Sequence, residues 1–525
     1  MVWKEMADFS GGLWERGTAA LFPDNALAVM DDCHPYVAGG VVPVVATVPI
    51  ASTHPDAAAS VTQMLGYYQS ADGQITLCAY SKAPFSFIVS QFTSTAVIST
   101  PSGIDPTKGA AQVMFVDSGP AGTPGHRNIA WNVDFGSSGD NGVWVVNSNS
   151  LIPGSCAQVL SYSGITALAY HQARLVALQS GNNTTRSGAP VLAYTDPGSD
   201  TAWNVLVNFL DLQTSPQSAI AAWGVVYAPS ELVVMLDGRG LLDVQGDITA
   251  PIVRDVTQQY PSSGATSGSS QIPIPFHYAP VITDEGLVYF SRNRGLMVWA
   301  GGSRVDHLSR QINPGNMLQV SPPNSSQLGS IGYAGRFIFL PGQGARAASP
   351  AAYVYDTWTK SWHRQTQWAN TLFYKAVPGL NYKLYGFGMN YLSPAFDYRS
   401  MDLASDPSLG TTAVGTYTFK THPQSIDARY VELREVELIL GAGSSGAQGT
   451  LTVTATPVPT GTPVTVTASY VVNAGGEQVI RKIVGLLPAQ AFTVQITFAT
   501  SNAGEAPTCK KLRMGCIPRY RLGVS

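Results

Sequence analysis

Short apolar runs separated by polar or glycine-bearing turns fill most of the chain, and four stretches repeat one layout. Ile165–Gly181, Ile220–Gly238, Pro280–Gly301 and Ile331–Gly342 each carry a short apolar run, then a turn of polar or glycine residues. A run of β-branched and aromatic residues ending in glycine follows. Runs of this length bounded by turn formers read as strands. A four-stranded antiparallel unit with its loops occupies roughly 50 to 60 residues, so units recurring at that spacing predict a β-propeller of six or seven degenerate blades.

Other segments follow the same grammar. Ile75–Tyr80, Phe85–Ser90, Gln112–Val116 and Val143–Asn147 are short, β-branched or aromatic, and flanked by turns. Ala71-Asp72-Gly73, the Gly136–Gly139 cluster and Asp196-Pro197-Gly198 supply the backbone freedom or preset φ that hairpins need. Tyr353–Trp362 packs strand, Asp-centred turn and strand into one stretch with aromatics at Tyr353, Tyr355, Trp358 and Trp362. Tyr353 and Tyr355 share a face by the two-residue alternation, which predicts the outer hairpin of a blade. Pro261–Ser270 is a low-complexity loop, and Asn316–Leu328 is polar loop or a short helix at best.

After about residue 400 the texture changes. Tyr417–Phe419, Arg429–Leu440, Thr450–Thr454, Pro463–Val472 and Ala491–Phe498 read as regular alternating strands between glycine-rich turns such as Gly441–Gly446, the pattern of an antiparallel β-sandwich. In Tyr430–Leu440 the alternation steps out of register near Arg434-Glu435, which predicts a bulge. The fold class is therefore all-β. The expected division is an N-terminal arm over 1–25, a β-propeller over 26–400 and a C-terminal β-sandwich over 401–525. Trp3, Phe9, Leu13 and Trp14 of the arm are available to dock on a neighbouring surface.

Composition narrows the function classes. Only 12% of residues are charged and the net charge is −3, with no basic block. Such a chain lacks the clustered Lys/Arg footprint of tight nucleic-acid binding. Low charge suits a surface buried in neighbours, an extracellular particle, or equally a generic Gly- and Thr-rich β protein. The five cysteines, Cys33, Cys78, Cys156, Cys509 and Cys516, are irregularly spaced and form no CxxC or Cys/His cluster, so no metal site is expected. Cys509 and Cys516 either pair across a hairpin or, as the favoured reading, stay as buried thiols. The first residues are charged and lack an apolar signal core, and there is no long apolar run. The expectation is a chain made in a cytoplasm, with no membrane-spanning segment.

Motifs for catalysis are absent from the sequence, including the nucleophile elbow, the phosphate-binding loop and zinc-protease spacing. His34, His54, His126, His171, His277, His307, His363 and His422 are scattered. Asp196 to Trp203 is similar to the Asp box of sialidase-type propellers, although its Trp lies two residues too far along; it reads as a blade turn. Paired carboxylates for glycoside hydrolysis would have to come from Asp31-Asp32, Asp284-Glu285 or Glu432/Glu435/Glu437. Hairpin duty accounts for Asp284-Glu285 next to Gly286. Tyr67-Tyr68 could stack on a sugar or fill a core. No catalytic, cofactor-binding or metal residue is assigned, no cofactor is expected, any ligand-binding residue is left open, and the chain is read as non-enzymatic.

Three features resemble the tail-tube or nozzle proteins of short-tailed bacteriophages. Asp8-Phe9-Ser10-Gly11-Gly12-Leu13 followed by Asn25-Ala26-Leu27-Ala28 is similar to that family's opening motif. Gly286–Gly302 through His307-Leu308-Ser309 resembles one of its blades, and Tyr353–Trp362 resembles its Tyr-Val-Tyr-Asp…Trp hairpin. The tail Arg513–Arg521 also fits. The resemblance implies a virion structural protein, assembled in the host cytoplasm into a homo-oligomeric ring, six copies being the expectation. That ring sits below the portal and adaptor, conducts viral DNA during ejection without sequence-specific binding, and anchors fibre proteins or other tail parts. The alternative is a carbohydrate-binding or carbohydrate-degrading propeller that recognises the host surface.

Overall fold

The structure is a computed structural model. It describes residues 1–49 apart from 18–21, 37–38 and 47, the strands alone within 61–134, and residues 142–519. Within the last span it leaves out the loops 148–156, 180–190, 213–220, 257–277, 314–328, 341–350, 375–382, 390–395, 403–413, 442–447, 472–476 and 501–506, together with a few shorter turns. Pro261–Ser270, Asn316–Leu328, the turns at 71–73 and 136–139, and the side chains of Tyr67-Tyr68 lie outside the described residues.

The chain is all-β, a propeller followed by a sandwich. The described residues form seven four-stranded antiparallel units. Blades 1 and 2 begin at Val61–Gln69 and Gln112–Ser118. Blades 3 to 6 begin at Ile165–His171, Ala221–Ala228, Val281–Thr283 and Gly332–Ala334. Blade 7 begins at Thr371–Tyr374. The four repeats of the sequence are the first two strands of blades 3, 4 and 6 and the first three of blade 5, and these blades start at residues 165, 221, 281 and 332, which lie 56, 60 and 51 residues apart. Inner strands neighbour one another from blade 1 through blade 4, and again from blade 5 through blade 7 back to blade 1. Blade 7 is completed by a strand from far away in sequence: Val48–Pro49 pairs with Phe396–Asp402 as its outermost strand.

The sheets cut across the expected division of the chain. Residues 1–25 are no free arm: Val2–Met6 pairs with Cys509–Arg519, and Phe9 and Leu13 are buried in the chain's own core. Ala26–Asp31 lies antiparallel to Thr416–Thr421 of the sandwich and meets Ser361–Gln365 of blade 6 in parallel at Asp31↔Arg364. One ten-stranded sheet therefore runs from blade 6 through Ala26–Asp31 into the sandwich, ending at Val464–Val471. The second sandwich sheet has Cys509–Arg519 and Tyr430–Leu440 at its centre, with Gln478–Ile483 on one edge. The bulge expected at Arg434-Glu435 is present, since register shifts between Leu433 and Glu435 and leaves Arg434 exposed.

A single large core spans this junction, joining Phe9, Leu27, Tyr355 and Trp362 to Phe419, Leu438, Phe498 and Met514. Blades 3 and 4 share a separate core through Val176, Leu178, Leu232, Val234, Leu242 and Val244. Burial of that many apolar side chains makes each blade's faces dependent on its neighbour.

Candidate functional site

Candidate chemistry concentrates where the first fifty residues meet blade 6. In the opening motif, Asp8 accepts hydrogen bonds from the Ser10 amide at 2.8 Å, the Ser10 hydroxyl at 3.0 Å and Asn25 Nδ2 at 3.0 Å. Gly12 has φ +60°, and a Cβ there would lie 2.6 Å from Ser361 Cβ, so the pair of glycines lets this turn press onto blade 6. Tyr353 donates its hydroxyl to Glu15 at 2.9 Å, and Trp362 donates its indole N–H to the Leu308 carbonyl at 3.1 Å. The motif residues thus form one packed joint.

The acidic groupings are consumed by the same kind of joint. Asp31 takes two hydrogen bonds from Arg364, at 2.7 and 2.8 Å. Asp32 stands in a left-handed conformation (φ 56°) and accepts from the Thr366 amide at 2.7 Å and from its hydroxyl. Burial pushes the Asp32 carboxyl up to about 6, with the Thr366 bonds opposing. Glu285 pairs with Lys360 across two blades. On the outer face of the sandwich, Glu5, Arg513, Glu437 and Arg481 alternate in sign across four strands, with contacts of 2.7, 3.0 and 2.7 Å. Glu432 binds Arg519 at 2.6 Å and also contacts Arg434. None of these groupings is held as an open carboxylate couple.

One carboxyl couple escaped sequence reasoning because its members lie on adjacent strands of blade 4. Asp243 is fully buried beside Glu231 and accepts from Gln245 Nε2 at 2.7 Å. Burial, with the Glu231 charge second, pushes the Asp243 carboxyl up to about 6. Glu231 stands opposite Gln245 in the ladder, and Asp243 opposite Val233, a diagonal that spacing alone does not reveal. The pair can hold a shared proton, with Asp243 buried and Glu231 half-buried.

Among the described histidines, His34 and His363 come together with ring centroids 5.5 Å apart, and Phe337 packs on both. Burial drives the His363 ring well below its ordinary value, with His34 and Arg336 adding to it, so this imidazole stays neutral. No group of three potential metal ligands occurs among the described residues. Asp196 sits between the third and fourth strands of blade 3. Its amide donates to the Ala202 carbonyl at 3.1 Å and its carboxylate accepts from Asn208 at 2.7 Å, which is turn architecture. Cys33, Cys509 and Cys516 are free buried thiols, the last two on one strand.

No protein-family model and no curated protein sequence matches the chain. Solved structures do. An exo-β-1,3-galactanase from Phanerochaete chrysosporium aligns over 89% of this chain and all of its own at 11% identity, with a TM-score of 0.30. The β-propeller domain of Cps50 (Swd1) from Myceliophteria thermophila covers 68% of this chain and 99% of its own at 10% identity and TM-score 0.38. A Bacillus subtilis glycoside hydrolase family 43 arabinoxylan arabinofuranohydrolase covers 89% and 99% at 10% identity and TM-score 0.25. The expectation of a non-enzymatic chain is withdrawn: two of these similar structures are named as glycosidases, an exo-β-1,3-galactanase and an arabinoxylan arabinofuranohydrolase. At 10–11% identity and TM-scores of 0.25 to 0.38 these likenesses assign no activity to this chain.

Proposed function

We propose that the chain is a structural subunit of a bacteriophage tail, one of several copies that form a tail-tube or nozzle ring around the path of the genome. The observation that carries this reading is the threefold stitching of residues 1–49. They enter the sandwich sheet at Val2–Met6, the shared sheet at Ala26–Asp31 and blade 7 at Val48–Pro49. Separating propeller from sandwich then requires breaking backbone ladders, which suits a part that carries mechanical load. A charge-poor chain with 30 basic and 33 acidic residues is also compatible with a lumen that must not retain phosphates. Exposed Trp3, Val479 and Ile483 on the outer sandwich face fit contact with neighbouring subunits. Electron microscopy of the purified protein tests the proposal: rings with a central opening are expected, and a protein that stays monomeric and does not enter tails overturns it.

A second reading, a propeller that binds or degrades carbohydrate, draws on Trp358. This indole is 70% exposed at the tip of the outer hairpin of blade 6, and the Arg336 guanidinium lies 4.8 Å from its ring centre. An exposed indole held in place by a cation is a platform on which a sugar ring can stack. Glycan-array binding or reducing-sugar release that is lost in Trp358→Ala would favour this reading over the first.

A further inference from the structure

Blade 4 holds two carboxyls whose charge its own side chains leave unanswered. Asp243 lies on the third strand, Gly240–Gln245, between Glu231–Leu236 and Ile252–Asp255, and is fully buried. Its Oδ2 accepts from Gln245 Nε2 at 2.7 Å, whereas its Oδ1 has no hydrogen-bond donor. Glu231 is within hydrogen-bonding reach of Asp243, and its Oε1 lies 3.5 Å from the same Gln245 nitrogen. A buried carboxylate oxygen without a donor is costly, and a second carboxylate beside it adds repulsion.

The other acidic groups at the joints are answered. Arg364 pairs with Asp31, Lys360 pairs with Glu285, and Thr366 supplies two donors to Asp32. Asp356 Oδ2 also lacks a hydrogen bond, but the Arg336 guanidinium stands 3.3 Å from it. In blade 4 the basic residue opposite Asp243 in the ladder is Arg254, which is exposed and acts on Asp243 through its charge, with no hydrogen bond.

The atoms that converge here define the ligand. Carboxylate and amide oxygens suit a hard divalent cation, unlike the thiolates and imidazoles that select zinc. Two carboxylates this close can hold one ion between them, and turning the Gln245 amide over brings Oε1 to where Nε2 now stands. Calcium tolerates irregular oxygen geometry and completes its shell with water, and Glu231 and Gln245 are half-buried at the rim. The turn after Gln245 is pinned from blade 3, where Gln172 Nε2 donates to the Gly246 carbonyl at 2.7 Å and Gln172 Oε1 accepts from the Ile248 amide at 3.0 Å. The ligands are therefore carried on backbone that is already fixed.

We propose that Asp243, Glu231 and Gln245 form a calcium site in blade 4, with Asp243 Oδ1 as its buried ligand. The site does not depend on the tail reading.

Calorimetric titration of the chelator-dialysed full chain with CaCl2 to about 10 mM at pH 7.5 provides the test. Wild type is expected to bind one ion with a Kd of about 0.1–1 mM, the range of weak oxygen-ligand sites. Glu231→Gln and Asp243→Asn are each expected to weaken binding by about tenfold or more. Glu231 is half-buried, so its variant keeps the test open should the buried substitution not fold. Protons compete for the same oxygens. The Asp243 carboxyl is pushed up to about 6 by burial and then by Glu231, with Arg254 opposing, so binding at pH 5 is expected to be about tenfold weaker. Glu477→Gln, at an exposed acid of the sandwich, is expected to leave binding unchanged. No binding up to about 10 mM, or binding that either blade 4 substitution leaves at wild-type strength, overturns the proposal. So does equal affinity at the two pH values, or a loss that Glu477→Gln shares, whether or not the protein forms rings.

Discussion

Arg364 holds Asp31 with two hydrogen bonds of 2.7 and 2.8 Å, although 333 residues separate them. The same two residues are the point where Ala26–Asp31 meets blade 6 in the ladder. Propeller and sandwich are therefore joined at one position by backbone register and by a two-point ion pair.

That pair should be worth more than a surface bridge. Both side chains keep only about a fifth of their exposure, so removing one leaves a poorly hydrated charge. Arg364→Ala or Asp31→Ala is expected to cost about 2–4 kcal/mol, somewhat below the range for a fully buried pair. The double variant should cost clearly less than the sum, because no orphan charge remains. Urea unfolding of the four proteins of the cycle measures this, and strict additivity would contradict it.

Asp32 introduces a pH dependence. Its folded value of about 6 lies above the ordinary 3.8, so ionisation is harder in the folded state. The unfolded chain loses its proton first, and stability contributed by the protonated group is lost as pH rises from about 4 through about 6. Asn is neutral, can accept the Thr366 amide at Oδ1 and donate Nδ2 to the Thr366 hydroxyl, and tolerates the left-handed backbone. Asp32→Asn is expected to raise stability by about 1–3 kcal/mol above pH 7 and to leave it little changed at pH 4. Thermal melts at the two pH values report the difference.

Gly12 should tolerate no side chain. A Cβ meets Ser361 Cβ at 2.6 Å and the Trp362 carbonyl at 2.9 Å, both on blade 6, and the φ of +60° adds strain. Gly12→Ala is expected to destabilise by about 2–4 kcal/mol. Limited proteolysis should then release the first fifty residues before the rest of the chain is cut.

Trp362 is fully buried against Tyr355, ring centres 5.2 Å apart, and bonds to Leu308 of the preceding blade. Trp362→Ala is expected to cost about 3–5 kcal/mol through the cavity it leaves. Trp362→Phe should cost less, retaining most of the packing and losing the indole bond. Denaturant midpoints in that order would bear out the shared core, whereas equal midpoints would contradict it.

Much of the blade architecture is legible without coordinates. The Tyr353–Trp362 hairpin is the outer pair of strands in blade 6, with Tyr353 and Tyr355 on one buried face as alternation requires. Trp358, the fourth aromatic of that motif, is exposed, since it occupies the turn and not the strand. Gln478–Ile483 and Cys509–Arg519 were not legible as strands. The first has Arg481 and Lys482 side by side, the second begins Cys-Lys-Lys, and both contradict simple alternation. Arg481, Lys510, Lys511, Arg513 and Arg519 are the cationic half of ladders whose anions come from Glu5, Glu432, Glu437 and Glu477.

Local information in the chain was sufficient for an all-β protein with hairpin repeats, a bulge at Arg434 and a change of texture near residue 400. Turn chemistry and side-chain alternation act over a few residues, and they leave their mark there. Only the tertiary structure decided that residues 1–49 stitch both halves together, that Asp31 finds Arg364, and that Glu231 faces Asp243 within a blade. Strand pairing is a contact between backbones, nearly indifferent to side-chain identity at an edge. Partners hundreds of residues apart are therefore chosen by the packing of whole sheets, which no short window of sequence contains.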